Sequence, residues 1–222
     1  MIATREAAKH LGLALQSATI AVQGFGNVGS VTADLLAKAG AKIVAVTDSK
    51  SGTYNANGLD ISTMLEFSRE HRTLDHFPGG EPIDSQQLFA LETDVLIPVA
   101  LESQITPDNA GTIRATIVIE GANGPTTPNA HKMLHDRGIV VIPDILANSG
   151  GVTISYFEWV QDRYGYFWEE DQVNARLEKK MCEAFDDVLQ TWLKYKVDLR
   201  TAAYIVAISH VGTVTKMRGG YA

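Results

Sequence analysis

The chain has 222 residues, 45% of them hydrophobic and 20% charged, with a formal net charge of −7. That supplies enough apolar material for one large core, and the acidic balance argues against nucleic acid as the main partner, because neutralising phosphates needs clustered Lys and Arg. A single cysteine, Cys182, excludes an intrachain disulfide and a cysteine-rich zinc site, while the lack of a signal peptide or of a run of roughly 18 apolar residues predicts a soluble, cytoplasmic protein without membrane contact.

Residues 3–13 carry an amphipathic helical pattern. SATIAVQ (17–23) is rich in β-branched residues and ends at Gly-Phe-Gly, which predicts a buried strand. NVGSVTADLLAKA (27–39) predicts a helix closed by Gly40 in the C′ role. KIVAVTD (42–48) is a second apolar strand, so strand, helix and strand fit within about 30 residues, the size of a βαβ unit. Residues 49–60 are expected to be loop, with a turn at Asn57-Gly58, and Asp60 to cap a helix over 61–71. Pro78, Gly79, Gly80 and Pro82 predict an irregular excursion over 72–87.

Alternation then resumes. DVLIPVA (94–100) and ATIVIEGAN (115–123) are strands, and IVVIPD (139–144) is the last one. Thr106-Pro107 and Thr127-Pro128 each open a helix, by the preference for Pro at the first helical position, and Gly138 stops the second. From residue 148 onward the pattern is helical. Val173, Leu177, Met181, Phe185, Val188 and Trp192 form one apolar stripe on a helix over 171–196. A final helix spans 199–217, and its apolar run Ala202–Ile208 predicts heavy burial. Short, continuously apolar strands alternating with helices predict an α/β fold: a Rossmann-like, doubly wound, mostly parallel sheet with additional C-terminal helices. No linker separates independent domains.

Gly24-Phe25-Gly26-Asn27-Val28-Gly29 is a G-x-G-x-x-G motif that follows a predicted strand, opens a predicted helix and has Asp48 at the end of the next strand. In that context it is a dinucleotide-binding fingerprint. Gly24 permits the tight turn, Gly26 lets the backbone approach a pyrophosphate, and Gly29 lets helix and strand pack closely. The pyrophosphate then sits at the positive end of the helix. Asp48 can accept hydrogen bonds from the adenosine ribose and should repel a 2′-phosphate, which favours NAD. Ser49 and Lys50 follow at once and keep NADP open. Ligands of open sheets bind at the carboxyl ends of the strands, which adds the segments 98–100, 120–123 and 147–152. The Asn123 and Asn148 amides there suit a ribose or a carboxamide, though each alone reads equally well as a turn residue.

Two other readings compete with this one. A short-chain dehydrogenase would need a Tyr four residues before a Lys, and none of the seven tyrosines has one. A non-catalytic NAD-sensing module would use the same site without chemistry. His131 and His135, at i and i+4, lack an evident third ligand, so no metal site is expected.

TREAAKHLG, QGFGNVGS, AVTDSKSGTYN, DVLIPVALESQIT, IEGANGPTTP and IPDILANSGGVTISYFEWVQD occur in this order. Together they resemble the nucleotide-binding half of the glutamate dehydrogenase family over nearly the whole chain. Leucine, valine and phenylalanine dehydrogenases share the glycine motif and the GAN loop, but resemble the SYFEW helix less. The resemblance implies reversible oxidative deamination of L-glutamate to 2-oxoglutarate and ammonia, with hydride passing to NAD or NADP. It implies that Gly24, Gly26, Asn27, Val28 and Gly29, with the intervening Phe25, hold the pyrophosphate. Asp48 and Ser49 would meet the adenosine ribose, and Ala100, Asn123 and Asn148 would surround the nicotinamide and its ribose. Ser155 would bind the substrate's side-chain carboxylate, and Val152 would pack on its carbon chain. Taken bottom-up, Ser155 reads instead as a helix serine back-bonded one turn earlier.

The catalytic lysine and aspartate of the family lie in an N-terminal domain, in PxGGxKG-like and PAPD-like runs that do not occur here. Asp144 is a possible base, but an Asp after a strand more often caps a helix. The expectation is therefore cofactor binding without turnover, with no catalytic residue in this chain. The whole of 1–222 is expected to be the dinucleotide-binding domain, with a helical segment from about 148 that contacts the missing domain. The family is hexameric mainly through that domain, so monomers or weak dimers are expected, with the apolar face of the last helix partly exposed.

Overall fold

The computed structural model describes residues 1–219, which form two compact units, one of residues 3–148 and one from Ser149 onward. The first begins with α1 (Ile2–His10) and a single 3-10 turn. It continues through β1 (Thr19–Gln23), α2 (Asn27–Lys38), β2 (Lys42–Thr47), β3 (Gly52–Tyr54), α3 (Ile61–His71), β4 (Glu81–Pro82) and α4 (Ser85–Phe89). It ends with β5 (Val95–Pro98), α5 (Pro107–Ala110), β6 (Ile117–Ile119), α6 (Pro128–Asp136), β7 (Val140–Ile142) and α7 (Asp144–Ala147).

The seven strands form one sheet in the order β4-β3-β2-β1-β5-β6-β7. The five strands from β2 to β7 run parallel, and β3 and β4 add an antiparallel edge beyond β2. This is the mostly parallel, doubly wound sheet that the alternation predicts. The central strands are buried apart from the first residues of β1 and β2, as a sheet covered on both faces requires. Register explains why. Ala45, Ala21, Leu96, Val118 and Val141 stand opposite one another in successive strands. They therefore form one row across one face, and all five belong to a single core cluster with Leu88, Ile105, Ile113 and Leu134.

Helix ends follow the local chemistry. The Asp60 side chain accepts from Thr63 N and starts α3. Gly40 takes φ +94° just past α2, and Gly138 takes φ +77° just past α6. Two expectations need correction. The stretch 49–60 is not all loop, because β3 pairs with the free edge of β2. The excursion over 72–87 contains β4, and α4 begins at Ser85 behind a capping box between Asp84 and Gln87. Strands of two or three residues carry too little periodicity to stand out, and only the waiting sheet edge makes them strands.

The second unit holds α8 (Gly150–Tyr164), α9 (Glu170–Tyr195) and α10 (Leu199–Arg218), with α9 packed on both of its neighbours. Met181, Phe185 and Val188 of the predicted stripe are buried on α9, joined by Leu189, while Val173, Leu177 and Trp192 are half-buried. Heavy burial of 202–208 is not observed. Ala202 and Ala203 are buried, but Ile208 is 68% exposed, and Val211, Val214 and Met217 continue its exposed face. Among the described residues, no helix is long and apolar enough to cross a membrane.

Leu134 is fully buried beneath the row of strand residues. Leu134→Ala is expected to lower the unfolding free energy by about 2–5 kcal/mol in a urea titration, through lost transfer energy plus the cavity left behind.

Candidate functional site

The strand order reverses at β1, which has β2 on one side and β5 on the other. At such a switch the loops leaving the two strands diverge and open a crevice at the carboxyl edge of the sheet. The loops reaching that edge are residues 24–29 after β1, 48–51 after β2, 99–106 after β5, 120–127 after β6 and the turn into α7 after β7.

The three motif glycines have three separate steric reasons. Gly24 has φ +109°, and a Cβ there would lie 2.9 Å from the Ala100 nitrogen. At Gly29 a Cβ would fall 1.9 Å from the Gly24 carbonyl oxygen and 2.8 Å from the Val99 Cγ2. Gly26 differs, since nothing stands within 4 Å of its Cβ position. Gly26 is the N-cap of α2 and supplies no side-chain cap. The N–H groups of the first turn, from Asn27 onward, are therefore left for a ligand. Asn27 and Val28 are exposed at this point, whereas Phe25 is 7% exposed and part of the core. A bare turn of this kind, with open space where a side chain would stand, fits a diphosphate held by backbone donors.

Asp48 is more heavily engaged than its position in the fingerprint suggests. One carboxylate oxygen accepts from Lys50 N at 2.7 Å and Ser51 N at 2.8 Å, and the other accepts from Leu74 N at 2.6 Å. The Thr73 hydroxyl is a further donor. Partial burial pushes the pKa up, but these four donors together hold it below its ordinary value of 3.8. A carboxylate has about four acceptor sites, so Asp48 serves first as a clasp joining the 48–51 turn to the segment after α3. Ser49 and Lys50 remain exposed beside it.

On the other side of the switch, the amide of Asn148 donates to Asn123 Oδ1 at 2.8 Å. The pair spends one donor and one acceptor, leaving an amide nitrogen on Asn123 and an amide oxygen on Asn148, the complement of a primary carboxamide. Ala100 is exposed between the two halves, next to Gly24. The Asp144 carboxylate accepts from Gly124 N at 2.8 Å and from Ile145 N at 2.9 Å, so both of its oxygens are engaged by backbone donors. Val152 and Ser155 lie on the opening turns of α8 in the second unit, and both are exposed. The helix back-bond is made there by Thr153, to the Ser149 carbonyl at 2.9 Å.

Four residues have roles that the sequence did not show, although Val99 and Glu120 fall in the strand-end segments 98–100 and 120–123. Val99 packs its two methyl groups against the Gly29 and Gly121 positions. Leu74 and Thr73 hold Asp48 from 26 and 25 positions downstream. Glu120, wholly buried, accepts from Asp144 N at 2.9 Å. Leu74 and Thr73 carried no signal, whereas Val99 and Glu120 both follow predicted strands and Glu120 is an acid closing an apolar run.

The sheet order and the glycine turn at its switch define a protein of the Rossmann-type nucleotide-binding class. Within that class, the chain belongs to the Glutamate/Leucine/Phenylalanine/Valine dehydrogenase family, whose model matches residues 1–219. It is 53% identical over 212 residues to a glutamate dehydrogenase of Thermotoga maritima, covering 95% of this chain and 51% of that protein. It is 44% identical over 219 residues to the NAD-specific glutamate dehydrogenase of Staphylococcus aureus, covering 99% and 53%. The hetero-hexameric glutamate dehydrogenase of Thermus thermophilus superposes with a TM-score of 0.92 at 32% identity, over 100% of this chain and 52% of that one. The chain thus spans about half the length of the relatives it matches.

Two outcomes follow from this geometry. Gly29→Ala must displace α2 from the Gly24 carbonyl and is expected to cost about 2–3 kcal/mol of stability, whereas Gly26→Ala meets no atom and should change stability by less than about 1 kcal/mol. Denaturant titrations of both variants check the contrast. For Asp48, whose folded pKa is depressed, the stabilisation is fully present above the ordinary value of 3.8 and is lost as pH falls through the lower folded value. Asp48→Asn should therefore be less stable than wild type at neutral pH and lose less on acidification, in thermal melts recorded from pH 7 to pH 3.

Proposed function

We propose that this chain is the nucleotide-binding part of a glutamate dehydrogenase, taking NAD as its dinucleotide. The observation that carries the reading is the uncapped first turn of α2 behind an unobstructed Gly26, at the point where the sheet order reverses. The pyrophosphate belongs on the N–H groups from Phe25 to Gly29, where the helix dipole and the bare donors act together. The adenosine ribose belongs beside the 48–51 turn, with the Ser49 hydroxyl exposed and Asp48 fixing the loop. The carboxamide of the nicotinamide belongs on the Asn123–Asn148 pair, with Ala100 beside its ribose. The negative charge at Asp48 and the name of the Staphylococcus relative both favour NAD over NADP.

Bound there, the dinucleotide supplies the hydride acceptor for oxidation of an amino acid. The residues of this chain bind and orient it. Val152 and Ser155 are offered as the substrate-side contacts, to the carbon chain and the side-chain carboxylate of glutamate. Deamination also needs a group to take the amine proton and to stabilise developing charge. Asp144 is spent on two backbone N–H groups and does not serve as that base. We therefore assign the catalytic lysine and aspartate to a further domain, and binding without turnover to this chain alone. The exposed apolar side of α10 supports a contact with such a domain. By itself the chain is taken to be a monomer or a weak dimer.

Calorimetric titration with NADH and NADPH is expected to show saturable binding of NADH by wild type, weaker binding of NADPH, and a loss of at least tenfold in Gly26→Ala. Glutamate should elicit no NADH production from the pure chain. Failure of wild type to bind either dinucleotide would refute the reading, and steady glutamate-dependent turnover would refute the division of labour.

A further inference from the structure

The loops after β6 and β7 are joined by a chain of hydrogen bonds that begins at a buried acid. Glu120 follows β6, is 0% exposed, and its own N–H donates to the Ile142 carbonyl at 3.1 Å. Its carboxylate Oε2 accepts from the N–H of Asp144 at 2.9 Å. Asp144 is the first residue of α7, where Pro143 as N-cap offers no side-chain acceptor. Glu120 therefore supplies the cap of α7 from the loop after β6. Asp144 answers in the other direction: its Oδ2 accepts from Gly124 N at 2.8 Å. These two bonds latch 120–124 to 143–148. One helical turn later, Asn148 N donates to the Asp144 carbonyl at 3.0 Å, and the Asn148 amide donates to Asn123 Oδ1 at 2.8 Å. The loop after β6 is held on its other side by Pro98, whose carbonyl accepts from Gly121 N at 3.1 Å and Ala122 N at 3.0 Å.

We infer that Glu120 is a positioning residue for the nicotinamide end of the dinucleotide: its bond to Asp144 N sets where α7 starts and so where the Asn148 amide meets Asn123. The inference rests on the proposed binding mode and adds a residue that touches no part of the ligand. The physical argument is one of placement. A four-residue helix has almost no stability of its own, and Asn148 sits at its end, so the anchoring of its start sets the point from which the Asn148 amide projects. An acid is otherwise an unfavourable choice for a wholly buried position. An amide acceptor at 120 would serve the same purpose, whereas an apolar side chain would leave the Asp144 N–H without its partner.

The test compares NADH with ADP-ribose, which carries the pyrophosphate and both ribose rings but no nicotinamide. Binding of each is measured by calorimetry on the 222-residue chain. Glu120→Ala is expected to weaken NADH about tenfold, the scale of one misplaced hydrogen-bonding group, and to leave ADP-ribose within twofold. Glu120→Gln, which keeps an acceptor oxygen, is expected to restore NADH affinity to within about threefold of wild type. Asp144→Pro, which removes the N–H that Glu120 accepts from and suits the first position of α7, serves where Glu120→Ala does not fold; the same NADH-selective loss is expected. Equal losses for both ligands, or none for either, in the folded variants overturn the inference while leaving the binding site intact. Wild-type protein that binds neither ligand overturns the binding mode and this inference with it.

Discussion

Helix α2 begins where it does because no Cβ separates Gly29 from the Gly24 carbonyl. A side-chain carbon at 29 would lie 1.9 Å from that oxygen, well inside any allowed contact. The contact brings the first turn of the helix down onto the end of the central strand, and the same turn is braced by Val99 and Ala100 from the loop after β5. Everything proposed for the site follows from that seat. It aims the uncapped N–H groups at the sheet's carboxyl edge, and it leaves Gly26 facing open space rather than a neighbouring loop.

The remaining loops at that edge are short or irregular and are held by polar bonds between loops more than by packing. Asp48 gathers the 48–51 turn and the segment after α3. Glu120 and Asp144 join the last two loops. Pro98 ties the middle loop to its neighbour. Each bond pairs a side-chain or main-chain acceptor with a backbone N–H that no strand or helix satisfies. A dinucleotide bound as proposed would meet loops whose own donors are largely committed, and the groups left over are those the ligand can use.

The second unit is built differently. The buried side of α9 accounts for its core, and the outer half of α10 carries Ile208, Val211, Val214 and Met217 in the open. A contiguous apolar face of that kind is unusual on a finished surface. It fits a chain that covers about half the length of the glutamate dehydrogenases it resembles.

The glycine motif, the alternation of apolar strands and helices, and the stripe on α9 were legible in the sequence, because each rests on local spacing or on a backbone rule that a single residue enforces. Asp60 and the two Thr-Pro helix starts were legible for the same reason. The edge strands β3 and β4 were not, since two or three residues become a strand only beside a partner edge. Nor were the partners of Asp48, the bracing by Val99, or the latch from Glu120 to Asp144. Apart from the two bonds of Asp48 within the 48–51 turn, these contacts join residues 22 to 75 positions apart along the chain. Composition and periodicity describe which face a residue turns inward, but which distant N–H meets a given carboxylate is decided only when the strands take their order in the sheet.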